Sequence, residues 1–532
     1  MENSRSLNVT QEPAGNPLTT LNQESTYSQK VLWLIAAMML LKGFAAFVLE
    51  LGNDESYYWF YSQDLKWNYF DHPPMVSVWV RLFTLNLWLQ DYPGFIRLGS
   101  IIGSAAATWA MYKTVATLHS ERGGWFAAIL YNASFYAGLS AGLFVMPDAP
   151  QMVFWTFSLW MLAHIVKDEN NRKTWLLFGI AAGLCIMSKV HGVFIYFGLG
   201  LFMLLRRRNW FLKPNFYLAV LISILITSPI LIWNLQNNFA SYRFHSERVT
   251  LDETIEGLPF VKEVLNQFFF NNPFNVALIF TALVRGYRYR AKRFPALTLF
   301  NCIAWPLAGS LLFVSLFRDA TLPHWSGPAY VTFIPMAAIY LTQLSQKPLW
   351  PRWLRWSLGT FVATLFAYLM LVQFYPGTLG KKNGPELGKG DNTLDVYGWK
   401  AAADSFQVFY KKEVEAGLMP QDAPVVCAKW WGAHVEYYFC RPLQLEMFGL
   451  GTMNLLHEYM WMNKKRIEGT SLASAYCIIP SDELYDVQKT YGAYYSKIQL
   501  VKRIETFRSH QPAHYFYVYR LTGWKGGLPV AP

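Results

Sequence analysis

"VLWLIAAMMLLKGFAAFVLELGNDESYYWFYSQDLKWNYFDHPP" (residues 31–74) joins an unbroken apolar run to a loop of acids and aromatic rings. An α-helix needs about 20 apolar residues to cross the hydrocarbon core of a bilayer, and the run at 31–51 has that length. It is too long and begins too late for a cleaved signal peptide. The segment 52–74, named here the acid–aromatic loop, therefore follows directly on a predicted membrane crossing.

The composition as a whole is that of a membrane protein. Of the 532 residues 53% are hydrophobic and only 15% are charged, whereas soluble domains carry about 25% charged residues. A shorter apolar piece at 75–89 suits the membrane interface, and 175–205 fits either two short helices or one broken helix. The prediction is an α-helical polytopic membrane protein with about 11–13 transmembrane helices. The apolar runs lie at 31–51, 95–116, 123–145, 150–166, 175–187, 191–205, 214–234, 265–284, 296–316, 328–345 and 357–376.

Two flanking segments differ from this membrane domain, which we place at 31–376. Residues 1–30 are polar and unpatterned, which predicts a disordered cytoplasmic tail. Residues 377–532 alternate short apolar runs with helical patterns, which predicts a C-terminal α/β domain outside the membrane. Within that domain the sequence allows a disulfide between Cys427 and Cys440 but does not require it, because such bonds form in oxidising compartments.

The distribution of basic residues predicts the orientation. A net charge of +12 could suit nucleic acid, but the basic residues sit in short loops between apolar runs, which excludes that function. They concentrate in alternate loops, as at 206–213 and 285–293, and such loops face the cytoplasm. The acid–aromatic loop and the C-terminal domain are then predicted to lie outside, which in a bacterium is the periplasmic face of the inner membrane.

The predicted outer loops carry the candidate functional residues. Acids and imidazoles at membrane depth are costly, which makes them functional candidates by default. Each has an ordinary alternative: a loop acid in solvent, a helix cap at Asp148, or an internal ion pair at Lys189. The candidates are Asp54, Glu55, Tyr57, Tyr58, Asp71, His72, Asp148, Lys189, His191, Arg243 and His324.

These motifs in this order resemble a known family. An Asp-Glu pair opens the first outer loop, "DHPP" (71–74) closes it, and "PDAP" (147–150), "SKVHG" (188–192) and "PHW" (323–325) follow. The combination resembles the GT-C glycosyltransferases of the protein O-mannosyltransferase and lipid A aminoarabinose transferase type. The resemblance runs from about residue 50 to 330 and implies a GT-C membrane fold with a catalytic first outer loop.

The resemblance implies transfer of a sugar from a polyprenyl-phosphate donor to a lipid, glycan or protein acceptor at the outer membrane face. By this likeness Asp54 is the base, with Asp148 and Glu55 as further catalytic acids. His72, Lys189 and Arg243 are the candidates for binding the donor phosphate. Where some members carry Lys, this chain has His72.

Elementary chemistry agrees with a single displacement. A phosphate leaves without a general acid, so one carboxylate acting as base on the acceptor hydroxyl can suffice, with cations stabilising the departing phosphate. Displacement in one step inverts the anomeric centre. No cofactor is required, although Asp71 and His72 could hold a divalent metal ion. Tyr57, Tyr58, His191 and His324 complete the predicted cavity.

Two other functions are compatible with a polytopic chain. A transporter or lipid flippase would place its charges near the bilayer midplane, within related halves. A membrane scaffold with an outer binding domain would leave the acids of the acid–aromatic loop without a purpose. The absence of visible repeats and the clustering of acids in outer loops favour the glycosyltransferase.

Overall fold

The computed structural model describes residues 17–249, 257–293, 295–317, 322–344 and 351–531. The described chain is almost entirely helical up to residue 374. Its helices are α1 Pro17–Val48, α2 Asn53–Ser62, α3 Met75–Phe83, α4 Pro93–Leu118, α5 Glu121–Ala133, α6 Asp148–Lys167, α7 Arg172–Ser188, α8 Val193–Arg206, α9 Pro214–Gln236, α10 Ala240–Val249, α11 Gly257–Phe270, α12 Pro273–Arg293, α13 Pro295–Val314, α14 Gly327–Leu344 and α15 Arg352–Phe374.

The predicted polytopic helical fold is confirmed. The predicted spans fall on helices, at 265–284 on the pair α11 and α12, except that at 123–145 the helix α5 ends at Ala133 and a short π-helix follows at Tyr136–Ser140. By length and apolarity, five of the described helices suffice to cross a bilayer, and six do if α11 and α12, which meet at 102°, form one broken span. This number is below the predicted eleven because several helices are short, such as α7 with 17 residues and α8 with 14.

The ambiguous segment 175–205 is two helices with a break at Lys189. The Lys189 backbone is extended, with φ −159° and ψ 138°, and a single 3₁₀ turn at Val190–Gly192 leads into α8. Gly192 lies so close to the last turn of α7 that a Cβ would come within 2.7 Å of the Ile186 amide nitrogen. The glycine therefore allows the chain to fold back where Lys189 leaves the helix.

The predicted disordered tail is wrong in part. Residues 17–30 belong to α1, while 1–16 lie outside the described residues. A polar segment can extend a helix that an apolar run has already formed, because adding a turn avoids the cost of nucleation.

The C-terminal part is the predicted α/β domain. Its sheet has the order β2-β1-β3-β5-β4, in which β1 pairs in parallel with β2 and β3 while β3, β5 and β4 pair antiparallel. The strands are β1 Val425–Cys427, β2 Met447–Gly449, β3 Ser474–Pro480, β4 Tyr495–Arg508 and β5 Gln511–Trp524. The helices are α16 Trp399–Glu415, α17 Gly432–Val435, α18 Met453–Leu456, α19 Tyr459–Arg466 and α20 Val487–Tyr491.

Helix α2 of the acid–aromatic loop packs into the core of the C-terminal domain. Phe60 stacks on Tyr459 with ring centroids 4.4 Å apart, and Trp59 meets Tyr437 edge-on at 4.9 Å. These rings are buried in one apolar cluster with the strands of the sheet. The loop and the C-terminal domain therefore lie on the same side of the membrane and form one packed unit.

The five cysteines are unpaired and buried. A Cys427–Cys440 disulfide is therefore not formed in this structure. Burial raises the pKa values of both thiols well above their usual value, so they behave as apolar packing groups.

Candidate active site

A cavity of about 530 Å³ lies where the acid–aromatic loop, the ends of membrane helices and the C-terminal domain meet. Pockets for small ligands occupy about 300–1,000 Å³, so this one could hold a sugar and a phosphate. Most of the predicted site residues, far apart in the sequence, line it together. They are Asp54, Tyr57, Tyr58, Asp71, His72, Asp148, Lys189, His191 and His324.

Asp148 and Lys189 form a buried ion pair in the wall of the cavity. Asp148 is the first residue of α6 and Lys189 directly follows α7, so each charge faces the favourable end of its helix dipole. The Lys189 Nζ lies 2.7 Å from Asp148 Oδ2, and the Tyr136 hydroxyl donates to Asp148 Oδ1 at 2.7 Å. The ion-pair alternative therefore holds, at two groups that also line the cavity, whereas the Asp148 side chain makes no helix-cap hydrogen bond.

Asp54 has a different environment. It lies in the first turn of α2, its side chain is exposed to the cavity, and its carboxylate makes no hydrogen bond or ion pair with a described residue. The pKa of Asp54 is raised to about 6, mainly by burial in the enclosing protein and also by the nearby acids Glu55 and Asp71, while Lys189 opposes this shift. A carboxylate that is uncommitted and titrates near neutrality suits a general base.

Asp71, by contrast, is held in a hydrogen-bonded network. Its Oδ1 accepts from the hydroxyls of Tyr57, at 3.2 Å, and Tyr61, while Oδ2 lies 3.5 Å from His457 Nδ1. Burial would raise the pKa of Asp71, but the interactions with His457, His72 and Tyr61 outweigh it and hold this pKa below its usual value. Asp71 is therefore an ionised anchor of the cavity wall.

His72 does not supply a permanent charge. The pKa of its imidazole is lowered to about 3, mainly by burial and also by Lys189 and His245, against the opposing effect of Asp71. The ring is neutral at pH 7, so Lys189 is the cation that remains for a phosphate among the predicted residues of this cavity.

The tentative metal site at Asp71 and His72 is not supported by the side chains around it. Among the described residues, no three carboxylate, imidazole or thiolate groups converge as a metal requires. One oxygen of the Asp71 carboxylate already accepts from two tyrosines.

Glu55 faces away from the cavity, which corrects its assignment as a catalytic acid. Adjacent residues on a helix point about 100° apart, so Asp54 and Glu55 cannot share a face. The Glu55 carboxylate accepts from the Arg97 Nε at 2.8 Å and from the Val145 amide at 3.0 Å. Arg97 also donates to the carbonyls of Ala46 and Leu49, so Glu55 ties α2 to α4.

Replacing Arg97 by methionine is expected to lower the free energy of unfolding by about 3–5 kcal/mol, because it leaves Glu55 as a buried carboxylate without its cation. Arg172→Met, at an exposed position in the first turn of α7, is the matched control. Chemical denaturation of the protein in detergent measures both. Equal stability of the two variants would contradict a structural role for Glu55.

Arg243 also lies outside the cavity, contrary to its assignment to the donor phosphate. Its side chain is exposed and lines a smaller neighbouring cavity of about 160 Å³, which shares Phe244 with the first. Helix α10 turns Phe244 and His245 toward the larger cavity and leaves Arg243 on another side.

His457 and Trp430 of the C-terminal domain line the cavity and were not predicted. The His457 backbone has φ 50° and ψ −124°, a conformation that is costly for a residue with a Cβ and that persists at functional sites. Its ring stacks on Trp430 at 6.1 Å and lies 5.1 Å from Phe244. No local motif marks it, since it reaches the site only through tertiary packing.

A further cavity residue, His191, has a buried ring nitrogen, Nδ1, without a hydrogen-bond partner among the described residues. Buried polar atoms are nearly always satisfied by protein, water or ligand. The His191 ring lies 6.1 Å from Trp325, in the turn Pro323–Ser326 that carries His324. A sugar hydroxyl could satisfy such a nitrogen.

This chain is similar to a family of mannosyltransferases, to a lipid A glycosyltransferase and to a solved structure. Residues 71–233 match the dolichyl-phosphate-mannose-protein mannosyltransferase family. The chain is 27% identical over 344 residues, 63% of its length and 69% of the relative's, to the lipid A galacturonosyltransferase RgtD of Rhizobium johnstonii. Its fold is similar to that of ArnT from Cupriavidus metallidurans bound to undecaprenyl phosphate, with a TM-score of 0.58 at 15% identity over 93% of this chain and 99% of that one. The apo form of ArnT gives the same TM-score, at 14% identity.

Proposed function

We propose that the chain is a membrane glycosyltransferase of the GT-C type, and that it moves a sugar from a polyprenyl-phosphate donor to lipid A or a similar surface acceptor. The likeness to a lipid A galacturonosyltransferase and to a fold that binds undecaprenyl phosphate supports both substrates. The observation that carries the proposal is the convergence of Asp54, Asp148 and Lys189 on one cavity.

The proposed reaction is a single displacement at the anomeric carbon. Asp54 accepts the proton of the acceptor hydroxyl, whose oxygen forms a bond to that carbon. The bond from the carbon to the phosphate oxygen breaks, and its electron pair leaves on the polyprenyl phosphate. The product then has the inverted anomeric configuration.

Lys189 and Asp148 are proposed to act together on the leaving phosphate. Lys189 is the cation that can stabilise the charge developing on the phosphate. Asp148, at 2.7 Å, holds this cation in the wall of the cavity. Because the pair is buried, it is little weakened by solvent, which favours electrostatic stabilisation of the transition state.

The cavity is proposed to face the periplasmic side of the cytoplasmic membrane. The basic loops at 206–213 and 285–293 indicate the cytoplasmic side of the membrane, and the cavity is predicted to lie on the other side. A donor carried on a lipid suits that location, since nucleotide sugars are made and kept in the cytoplasm. Asp148 is the first residue of the candidate membrane span Asp148–Lys167, and so lies at the end of that span, whereas transporter sites lie near the bilayer midplane.

The proposal is tested by incubating the purified protein with lipid A and a panel of undecaprenyl-phosphate sugars. The panel consists of the galacturonic acid, mannose and 4-amino-4-deoxyarabinose derivatives. We expect mass spectrometry to detect glycosylated lipid A with at least one donor. Folded protein that transfers none of these sugars to lipid A would contradict the proposed substrates.

The pKa of Asp54, raised to about 6 by burial, predicts the pH dependence of transfer. The base must be ionised, so kcat/KM should be constant above that pH and fall roughly tenfold per unit as Asp54 becomes protonated below it. Rates from pH 5 to 8 measure this limb. The residual activity of Asp54→Asn should lack the limb, and its persistence in that variant would assign the titration to another group.

A further inference from the structure

The two residues that flank Asp54 are anchored on different domains. Glu55 is bound by Arg97 of the membrane domain, at 2.8 Å from Nε to Oε1. Asn53 is bound by the C-terminal domain. Its backbone N–H donates to Asp395 Oδ1 at 3.0 Å, and its side chain contacts His434. Asp54 therefore lies at the junction of the two domains.

His434 makes the closest contacts on the C-terminal side. Its Nε2 lies 2.7 Å from the Leu51 carbonyl oxygen, and its Nδ1 lies 2.7 Å from Oδ1 of Asn53. The ring is fully buried and stacks on Trp399 with centroids 3.5 Å apart. The Tyr438 hydroxyl accepts from the Leu51 amide at 2.7 Å, so one surface holds both backbone groups of Leu51.

The protonation of His434 fixes the direction of these bonds. Burial lowers the pKa of His434 to about 3, so the ring carries a single N–H. A carbonyl only accepts, so that N–H is on Nε2 and donates to Leu51. Nδ1 therefore accepts a hydrogen bond, and its partner on Asn53 must be the side-chain nitrogen. The oxygen and nitrogen of a side-chain amide are assigned from their hydrogen-bond partners, so the Asn53 amide is flipped to present that nitrogen.

The side chain of Asp54 has no such support. Its carboxylate makes no hydrogen bond with a described residue, so its location is set by the backbone on either side of it. A misplacement of about 1 Å at a reacting group can cost about 10²-fold in rate. The side chains that fix Asn53 therefore determine where the carboxylate stands.

We propose that His434 is a positioning residue for Asp54, through which the C-terminal domain completes the transferase site. This inference rests on the proposed function of Asp54 as base. It assigns the C-terminal domain a part in the rate of the chemical step, in addition to any part in binding the acceptor.

The test compares Asn53→Ala with His434→Gln in the full-length protein. Asn53→Ala removes the side-chain bond to His434 at a half-buried position without emptying the core of the domain. His434→Gln keeps one donor and one acceptor. Transfer is measured with the undecaprenyl-phosphate sugar that the wild type uses best, and thermal unfolding is measured in the same detergent. His510→Gln, at an exposed turn of the same domain, is the matched control.

For Asn53→Ala we expect kcat to fall about 10–100-fold while the KM for the donor stays within about twofold. His434→Gln, which keeps one donor and one acceptor, should lose less kcat than Asn53→Ala, and His510→Gln should match the wild type. A wild-type kcat in Asn53→Ala, or a loss confined to KM, overturns the inference. If kcat in Asn53→Ala is unchanged while Asp54→Asn is inactive, only this inference fails. If Asp54→Asn is fully active, the proposed function fails.

Discussion

Replacing Asp54 by asparagine is expected to lower kcat for sugar transfer by about 10²–10⁴-fold, the range that a general base contributes. The amide has nearly the shape of the carboxylate but cannot accept the proton of the acceptor hydroxyl. Because Asp54 makes no hydrogen bond with a described residue, the variant should fold normally. Transfer is measured at saturating donor and acceptor.

Asp64→Asn is the matched control for that experiment. Asp64 lies in the same acid–aromatic loop but outside the cavity, where Lys465 pairs with it at 2.8 Å. Surface pairs contribute up to about 1 kcal/mol, so this variant should retain wild-type kcat. Full activity of Asp54→Asn, or equal losses in both variants, would contradict the assignment of Asp54 as base.

Replacing Lys189 by methionine is expected to abolish measurable transfer and to lower the free energy of unfolding by about 3–5 kcal/mol. The loss of stability follows from leaving the buried Asp148 carboxylate without its cation at 2.7 Å. The loss of transfer follows from removing the charge that faces the leaving phosphate. These two effects can be separated by a second substitution.

Combining Lys189→Met with Asp148→Asn removes the unpaired charge. A buried ion pair contributes little net stability when both charges are replaced together, so the double variant should regain most of the lost stability. Transfer should stay absent, because the cation is still missing. Lys173→Met, at an exposed site on α7, controls for the loss of a lysine. A double variant that regained transfer would show that Lys189 acts only through stability.

The main polar groups of the cavity could be predicted from the sequence. Asp148 and Lys189 each stand where an apolar run ends, and a charge in that position is expensive without a partner. The resemblance to GT-C enzymes predicts that both belong to one site. Their pairing at 2.7 Å gives the physical reason that both are there.

The sequence could not show that Glu55, unlike Asp54, faces away from the cavity. The pattern Asp-Glu presents two acids, and only the rotation of α2 determines which one faces the cavity and which one meets Arg97. Arg243 is the same kind of case, since a basic residue in an outer loop gives no indication of the side of α10 on which it lies.

Contacts between distant parts of the chain were also beyond the sequence. His434 and His457 lie far from residues 51–71 along the chain, and no spacing links them. Each meets its partners only because α2 packs into the C-terminal domain. The loss of charge at His72 is likewise a tertiary effect, since burial lowers its pKa.

The most direct test of the central claim is to analyse both products of one reaction on purified protein. The assay quantifies undecaprenyl phosphate and glycosylated lipid A by mass spectrometry and determines the anomeric configuration of the transferred sugar by NMR. We expect the two products in equal amounts, with the anomeric centre inverted relative to the donor. Release of undecaprenyl phosphate without glycosylated acceptor, or a product with retained configuration, would contradict a single displacement in which Asp54 acts as base.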